Sequence, residues 1–219
     1  MEKRKQNNKT RSERTPKFRE QLYPQRIAAS RLGMAATAHY CATEAAVEIL
    51  QAGGNAIDAA VAAGFALGVC EPAASGLGGQ TMMMIHTADP RRTFALDGSS
   101  RAPHRTLPGD MPKKDRLRGH QATTVPSTPA VLAYALRQYG SMPLVDILSP
   151  AIRLAADGVI VSELQNFLAH RELKHLKAGT AAALFLKKGV RPYPAGSRFR
   201  QPVLAATLEQ LAKKDIEDF

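Results

Sequence analysis

A chain of 219 residues and 23.6 kDa, 44% of it hydrophobic, is long enough to bury roughly 70% of the surface its unfolded form exposes, so one core or part of a larger one is expected. The net charge of +11 is uneven: residues 1–26 hold nine Lys or Arg against three Glu, whereas the rest of the chain carries 21 basic and 16 acidic groups. The charge of this basic head lacks the aromatic interleaving or recognition fold of a nucleic-acid binder, and no partner of that kind is expected.

The basic head has only Phe18, Leu22 and Tyr23 as large apolar groups, too few to offset the entropy of ordering, and 1–26 is predicted to be a disordered, solvated tail. No run of about 7–15 apolar residues follows its charges, so no secretory signal is expected and a cytoplasmic location is the default. A domain from 27 to 219 follows. Met34–His39 is a short, mostly apolar run that fits a buried strand. Thr43 is placed to cap the next helix, with Glu44 at the favourable end of its dipole, and Gly53 ends it. Asn55 caps a second helix, Ala56 to Cys70, whose first turn carries Asp58. From Ala59 to Cys70 every residue is apolar or glycine, a run too short for the ~20 residues of a membrane span. This helix is expected to be buried on nearly all sides, and to expose part of its surface if partner layers are missing. Pro72 stops it. Cys41 and Cys70 read as buried thiols, without the spacing of a metal site.

Thr81–His86 and Arg92–Asp97 read as two strands joined by a turn at Asp89-Pro90, the first with little alternation and so expected to be covered on both faces. Helices stacked on a sheet define an α+β fold with a helix-rich C-terminal half. After the basic stretch Ala102–Gly119, Thr128-Pro129 starts a helix through Tyr139 that Gly140 ends. Pro143, Ser149-Pro150 and Ser162 start three more, and Gly158 closes the one begun at Pro150. Lys187–Gly196 is turn-rich, and Gln201-Pro202 opens a last helix patterned on Leu204, Leu208 and Leu211.

Bare chemical signals are weak. Gly76-Leu77-Gly78-Gly79 lacks the Lys-Ser/Thr of a phosphate loop and the spacing of a dinucleotide fingerprint, so its glycines point to close backbone packing or to a ligand nearby. Six histidines are scattered, and His170 and His175, five apart, do not share a helix face for a metal. No Gly-x-Ser-x-Gly elbow occurs.

Read together, Gly53-Gly-Asn-Ala-Ile-Asp58, Glu71-Pro72, Ser75-Gly-Leu-Gly-Gly79, Asp97, Ala102-Pro103, Val125-Pro126, Tyr139-Gly140, Pro150–Ala155 and Gln201-Pro202 resemble, in order, the γ-glutamyltransferase family of N-terminal-nucleophile hydrolases. The resemblance runs from about Gly33 onward and corresponds to the front of the family's large subunit, one side of a four-layer αββα sandwich. It implies transfer or hydrolysis of γ-glutamyl groups, with glutathione as the usual donor, through an acyl-threonine intermediate and with no metal or organic cofactor. In the family an Asp-x-Arg-Glu-x-Ala-Pro segment supplies the arginine that binds the α-carboxylate of the γ-glutamyl group. Here that segment is Asp97-Gly-Ser99-Ser100-Arg101-Ala-Pro103. Ser99 holds the arginine's place, and Arg101, displaced by about 6–7 Å along an extended segment, still falls on the same face; it is the one candidate substrate-binding residue.

The family's catalytic threonine begins a Thr-Thr-His segment exposed by self-cleavage. Thr123-Thr124 is followed by Val125-Pro126 and lies in the part that matches the large-subunit interior, so it is not the cut site. No catalytic or metal-binding residue is assigned. The resemblance implies a partner in the small subunit or the remaining part of a precursor, and an N-terminal piece that is inactive alone. Alternatives are a cephalosporin-acylase-like amidohydrolase, in keeping with the displaced arginine, and a truncated, non-catalytic binding protein.

Overall fold

The computed structural model describes residues 29–107, 109, 112, 119 and 122–214; the predicted tail and half of the basic stretch Ala102–Gly119 lie outside them. Helix α1, Tyr40–Gln51, buries Cys41, Ala42, Ala45, Ala46 and Ile49 on one stripe. It begins a turn earlier than its composition predicts. His39 is the N-cap: its Nδ1 accepts the Cys41 N–H at 3.2 Å, while Thr43 Oγ1 bonds Thr37 Oγ1 at 2.7 Å. The strand expected at Met34–His39 does not form. These residues run without regular structure into His39, and no neighbouring strand pairs with them among the described residues, so their backbone has no ladder to join.

Helix α2, Ala56–Cys70, matches its predicted bounds. Asn55 Oδ1 accepts the N–H groups of Ile57 and Asp58, and the Asp58 carboxylate takes the Asn55 N–H at 2.8 Å, a complete capping box. Helices α1, α3 (Thr128–Tyr139) and α4 (Leu144–Asp157) wrap α2. Nine of its fifteen residues are buried and the exposed ones, Ala56 and Ala60, are small. The expected exposure of α2 is therefore not found, because neighbouring helices of this same chain cover it. Close approach is part of this: a Cβ on Gly64 would stand 3.0 Å from Leu132 of α3.

Strands β1, Thr81–Thr87, and β2, Arg92–Gly98, form an antiparallel hairpin in which Met82 faces Asp97 and Met84 faces Ala95. Its inner face sets Ile85 in the core, with the Phe94 ring 4.9 Å from that of Tyr139, and lies on α3. Its outer face is open, with Met82 67% and Met84 79% exposed. The prediction of a strand covered on both faces thus fails for the described residues: they supply a helical layer on one side and nothing on the other.

Two helices predicted at Pro143 and Pro150 are one. Pro150 sits inside α4, where its missing N–H deprives the Asp146 carbonyl of a helical donor. Burial of Ile147, Leu148, Ala151 and Ala155, in a helix packed on α2 and α8, outweighs that loss. Gly158 ends α4 at φ 87°, a conformation open to glycine, and Arg198 and Arg200 donate to carbonyls at this helix end. Short strands β3 (Val159–Ile160) and β6 (Arg198–Phe199) pair, as do β4 (Leu186–Lys187) and β5 (Arg191–Pro192). Between them lie α5 (Glu163–Arg171), capped by Ser162 as predicted, α6 (Leu173–Lys177) and α7 (Ala182–Phe185). Helix α8, Pro202–Lys214, packs on α4. Just before it, buried Gln201 donates from Nε2 to the Val69 carbonyl of α2 at 2.8 Å.

Candidate functional site

Four pieces of chain meet where the hairpin's open ends reach α3. The glycine run follows α2 after a turn on the Glu71 carbonyl and packs so closely that a Cβ on Gly68 would stand 3.3 Å from the Gly76 Cα. The Gly79 carbonyl accepts the N–H groups of Ser127 and Thr128 at 3.0 and 3.3 Å, fixing the start of α3. Thr81 Oγ1 donates to Thr128 Oγ1 at 2.9 Å, and the Ser127 hydroxyl donates to the Gly98 carbonyl. Gly98 tolerates no side chain, since a Cβ would overlap Val131 and the Thr81 carbonyl oxygen.

This junction anchors the segment 97–101. Asp97 Oδ1 accepts both the N–H of Ser99 at 2.9 Å and its hydroxyl at 2.6 Å, so the Ser99 side chain turns back on the strand end. Those two bonds, with the charge of Arg101 adding to them, hold the Asp97 carboxyl below its usual pKa. Gln80 Oε1 accepts the N–H and hydroxyl of Ser100 at 3.1 and 3.2 Å. Arg101 forms an isolated bridge with Val125, whose N–H donates to the Arg101 carbonyl at 2.9 Å, and its side chain is exposed. The arrangement therefore offers an exposed guanidinium on a pinned backbone, suited to a carboxylate, which accepts two parallel hydrogen bonds. Thr123 and Thr124 are exposed just before Val125.

The other conspicuous polar group, Asp58, is buried and structural. Besides the Asn55 amide it accepts the Ser141 N–H and hydroxyl at 2.9 and 2.6 Å and the Met142 N–H at 3.3 Å, tying α2 to the turn between α3 and α4. Burial works against its charge, but the Ser141 hydroxyl and these amides outweigh it and hold its pKa below the usual range. Cys41 and Cys70 are free and buried, and burial pushes the Cys70 thiol up to about 12. His170 and His175 fall on different helices, and among the described residues no group of His, Cys, Asp and Glu is placed to hold a metal ion. No helix of the described residues is long and apolar enough to cross a membrane. A cavity of about 230 Å³ bordered by Val161, Leu168, Phe185, Tyr193 and Phe199 shares no lining residue with the strand-end junction.

The junction was only partly visible in the sequence. The glycine run and Arg101 were singled out there, and Thr128 only as a helix start; Ser127 and the bond from Ser100 to Gln80 were not. Ser127 had a signal in the Ser-Thr-Pro start of α3, which reads as a cap although its hydroxyl serves the hairpin instead.

The gamma-glutamyltranspeptidase family model matches residues 42–219, and the chain belongs to that family. Its α+β fold is part of the αββα sandwich of N-terminal-nucleophile hydrolases. The chain is 37% identical over 196 residues to the glutathione hydrolase proenzyme of Pseudomonas sp. (strain A14), with 85% of this chain and 34% of that protein covered. The acylase ACY 1 proenzyme of Pseudomonas sp. (strain V22) is 33% identical over 198 residues, with 84% and 35% covered. Among solved structures, Helicobacter pylori gamma-glutamyltranspeptidase superposes with a TM-score of 0.82 at 35% identity, covering 85% of this chain and 56% of that one. The chain thus spans about a third of the length of the curated relatives it matches.

Proposed function

We propose that the protein carrying this chain transfers or hydrolyses a γ-glutamyl group through an acyl-threonine intermediate, and that Arg101 binds the carboxylate of that group. The nucleophile and the oxyanion donors would come from residues beyond these 219, in the remaining part of a precursor. The observation that carries the reading is the exposed Arg101, whose backbone is held between Gln80-bound Ser100 and Val125 at the strand-end junction. Support for a further part of the protein comes from the open hairpin face at Met82 and Met84 and from relatives named proenzymes of about three times the matched length.

The test is hydrolysis of a γ-glutamyl anilide by the full-length protein. Arg101→Ala, which removes a charge-assisted pair worth about 2 kcal/mol, is expected to raise KM roughly 30-fold. An unaltered KM, or a coding sequence that runs on without reaching a Thr-Thr-His segment, would sink the reading.

A second reading, an amidohydrolase acting on other acyl groups, is favoured by one observation: Ser99, in the place of the family's arginine, is folded onto Asp97, which already takes its hydroxyl hydrogen. A higher kcat/KM for a butanoyl anilide, which lacks both the α-amino and α-carboxylate groups of γ-glutamyl, than for the γ-glutamyl anilide would favour it.

A further inference from the structure

Ser99 and Gln80 stand nearly twenty residues apart in the sequence, and the structure joins them through Ser100. Gln80 leaves the glycine run just ahead of β1, and its carboxamide oxygen takes both polar hydrogens that Ser100 offers. That bond closes one side of a short clasp; the other is the Val125 N–H on the Arg101 carbonyl. On the N-terminal flank, Ser99 is drawn the opposite way, onto Asp97. The backbone from 99 to 101 is consequently tied at three successive residues to three different elements: the end of β2, the lead into β1, and the stretch ahead of α3. A guanidinium on a long, rotamer-rich side chain binds a ligand well only when its base is fixed, because each unfrozen bond adds to the entropy lost on binding.

We propose that Gln80 is the positioning residue for Arg101, holding Ser100 so that residue 101 rather than residue 99 presents the carboxylate-binding side chain. This rests on the reading of Arg101 given above. Gln80 and Ser99 are then two halves of one local rearrangement: the side chain at 99 is short enough to turn back on Asp97, and the side chain at 80 is long enough to reach Ser100. A side chain at 80 too short to reach Ser100 would leave the Ser100 N–H and hydroxyl to water. Gln80 is itself exposed, so its loss leaves the core intact.

The experiment uses Gln80→Ala, Arg101→Ala and the double variant of the full-length protein, with two substrates: a γ-glutamyl anilide and a 4-aminobutanoyl anilide, which lacks the α-carboxylate. Amide hydrogen exchange at Ser100 is followed alongside. Expected are faster exchange at Ser100, a KM raised about tenfold for the γ-glutamyl substrate with kcat within about twofold, and no KM change for the 4-aminobutanoyl substrate. In the Arg101→Ala background, Gln80→Ala should add nothing further. The proposal is overturned if Gln80→Ala leaves the γ-glutamyl KM unchanged while Arg101→Ala raises it, or if it raises KM equally for both substrates. Absence of turnover by the unaltered protein would instead remove the reading of Arg101, and the proposal with it.

Discussion

Asp58 and His39 show how two single side chains set the stability of this fold. The Asp58 carboxylate, itself buried, satisfies donors from Asn55, Ser141 and Met142 at the rim of the core. Asp58→Ala leaves those donors unpaired and is expected to destabilise the chain by about 3 kcal/mol, measured by urea unfolding. His39 also acts deprotonated, but as a neutral ring: its Nδ1 must be bare to accept the Cys41 amide, and burial lowers its pKa against the opposing charges of Glu71 and Glu44. An unfolded histidine takes its proton near ~6.5 and the folded one only at lower pH. The unfolded state therefore holds more protons between those values, and stability falls as pH drops below ~6.5. Asp58 contributes in a separate window: its folded pKa is depressed, so its contribution is present above the unfolded value of ~4 and is lost as pH falls through the folded one. His39→Asn keeps a helix-capping oxygen and does not titrate. The unfolding midpoint of this variant should lose the slope between pH 7 and 5 while retaining the acid loss below pH 4. A slope unchanged from pH 7 to 5 would show that some other group carries it.

At the scale of elements, the hairpin behaves differently from the helices beneath it. Its inner residues Ile85 and Phe94 belong to the core, while Met82, Met84 and Ala95 face outward with nothing on them among the described residues. Met84→Lys should therefore change the stability of this chain by less than about 0.5 kcal/mol, yet lower the yield of processed, active full-length protein. Equal effects on both would show that the face is already covered within the chain. The same contrast explains what the sequence disclosed. Helix α2 was legible in full because its cap, its first-turn carboxylate and its terminating Pro72 are local signals. Helix α4 was misread as two because Pro150 is a strong local breaker, and what overrides it, packing on α2 and α8, involves residues distant in the chain. Met34–His39 failed for the converse reason: its apolar pattern needs a pairing partner that local composition cannot supply. At the site, Arg101 stood out through an ordered motif. The bond from Ser100 to Gln80 spans twenty residues and two elements, and no periodicity or spacing encodes it.

On the scale of the whole molecule, the helices close around α2, whereas the outer face of the β1–β2 hairpin is uncovered among the described residues. Among those residues the hairpin is two-stranded, with both ladder edges unpaired and Met82 and Met84 open to water, the arrangement that promotes association with another chain. If the acyl-transfer reading holds, the surface that would receive the rest of the protein and the junction that would bind the substrate belong to the same hairpin, since Asp97 lies opposite Met82 at the strand ends. Covering the face and completing the site should then occur together. The 219-residue chain purified alone is expected to bind a dye that reports exposed apolar surface, to associate at high concentration, and to release no chromophore from a γ-glutamyl anilide. Met82→Lys with Met84→Lys should suppress both dye binding and association without restoring turnover. The full-length protein should bind little dye and turn the anilide over. Sedimentation, dye fluorescence and the anilide assay on these three preparations check the expectation. A monomeric, dye-silent chain that hydrolyses the anilide by itself would mean that the nucleophile lies within these 219 residues after all, and the search for it would return to Thr123 and Thr124, the exposed threonines beside the pinned Arg101 segment.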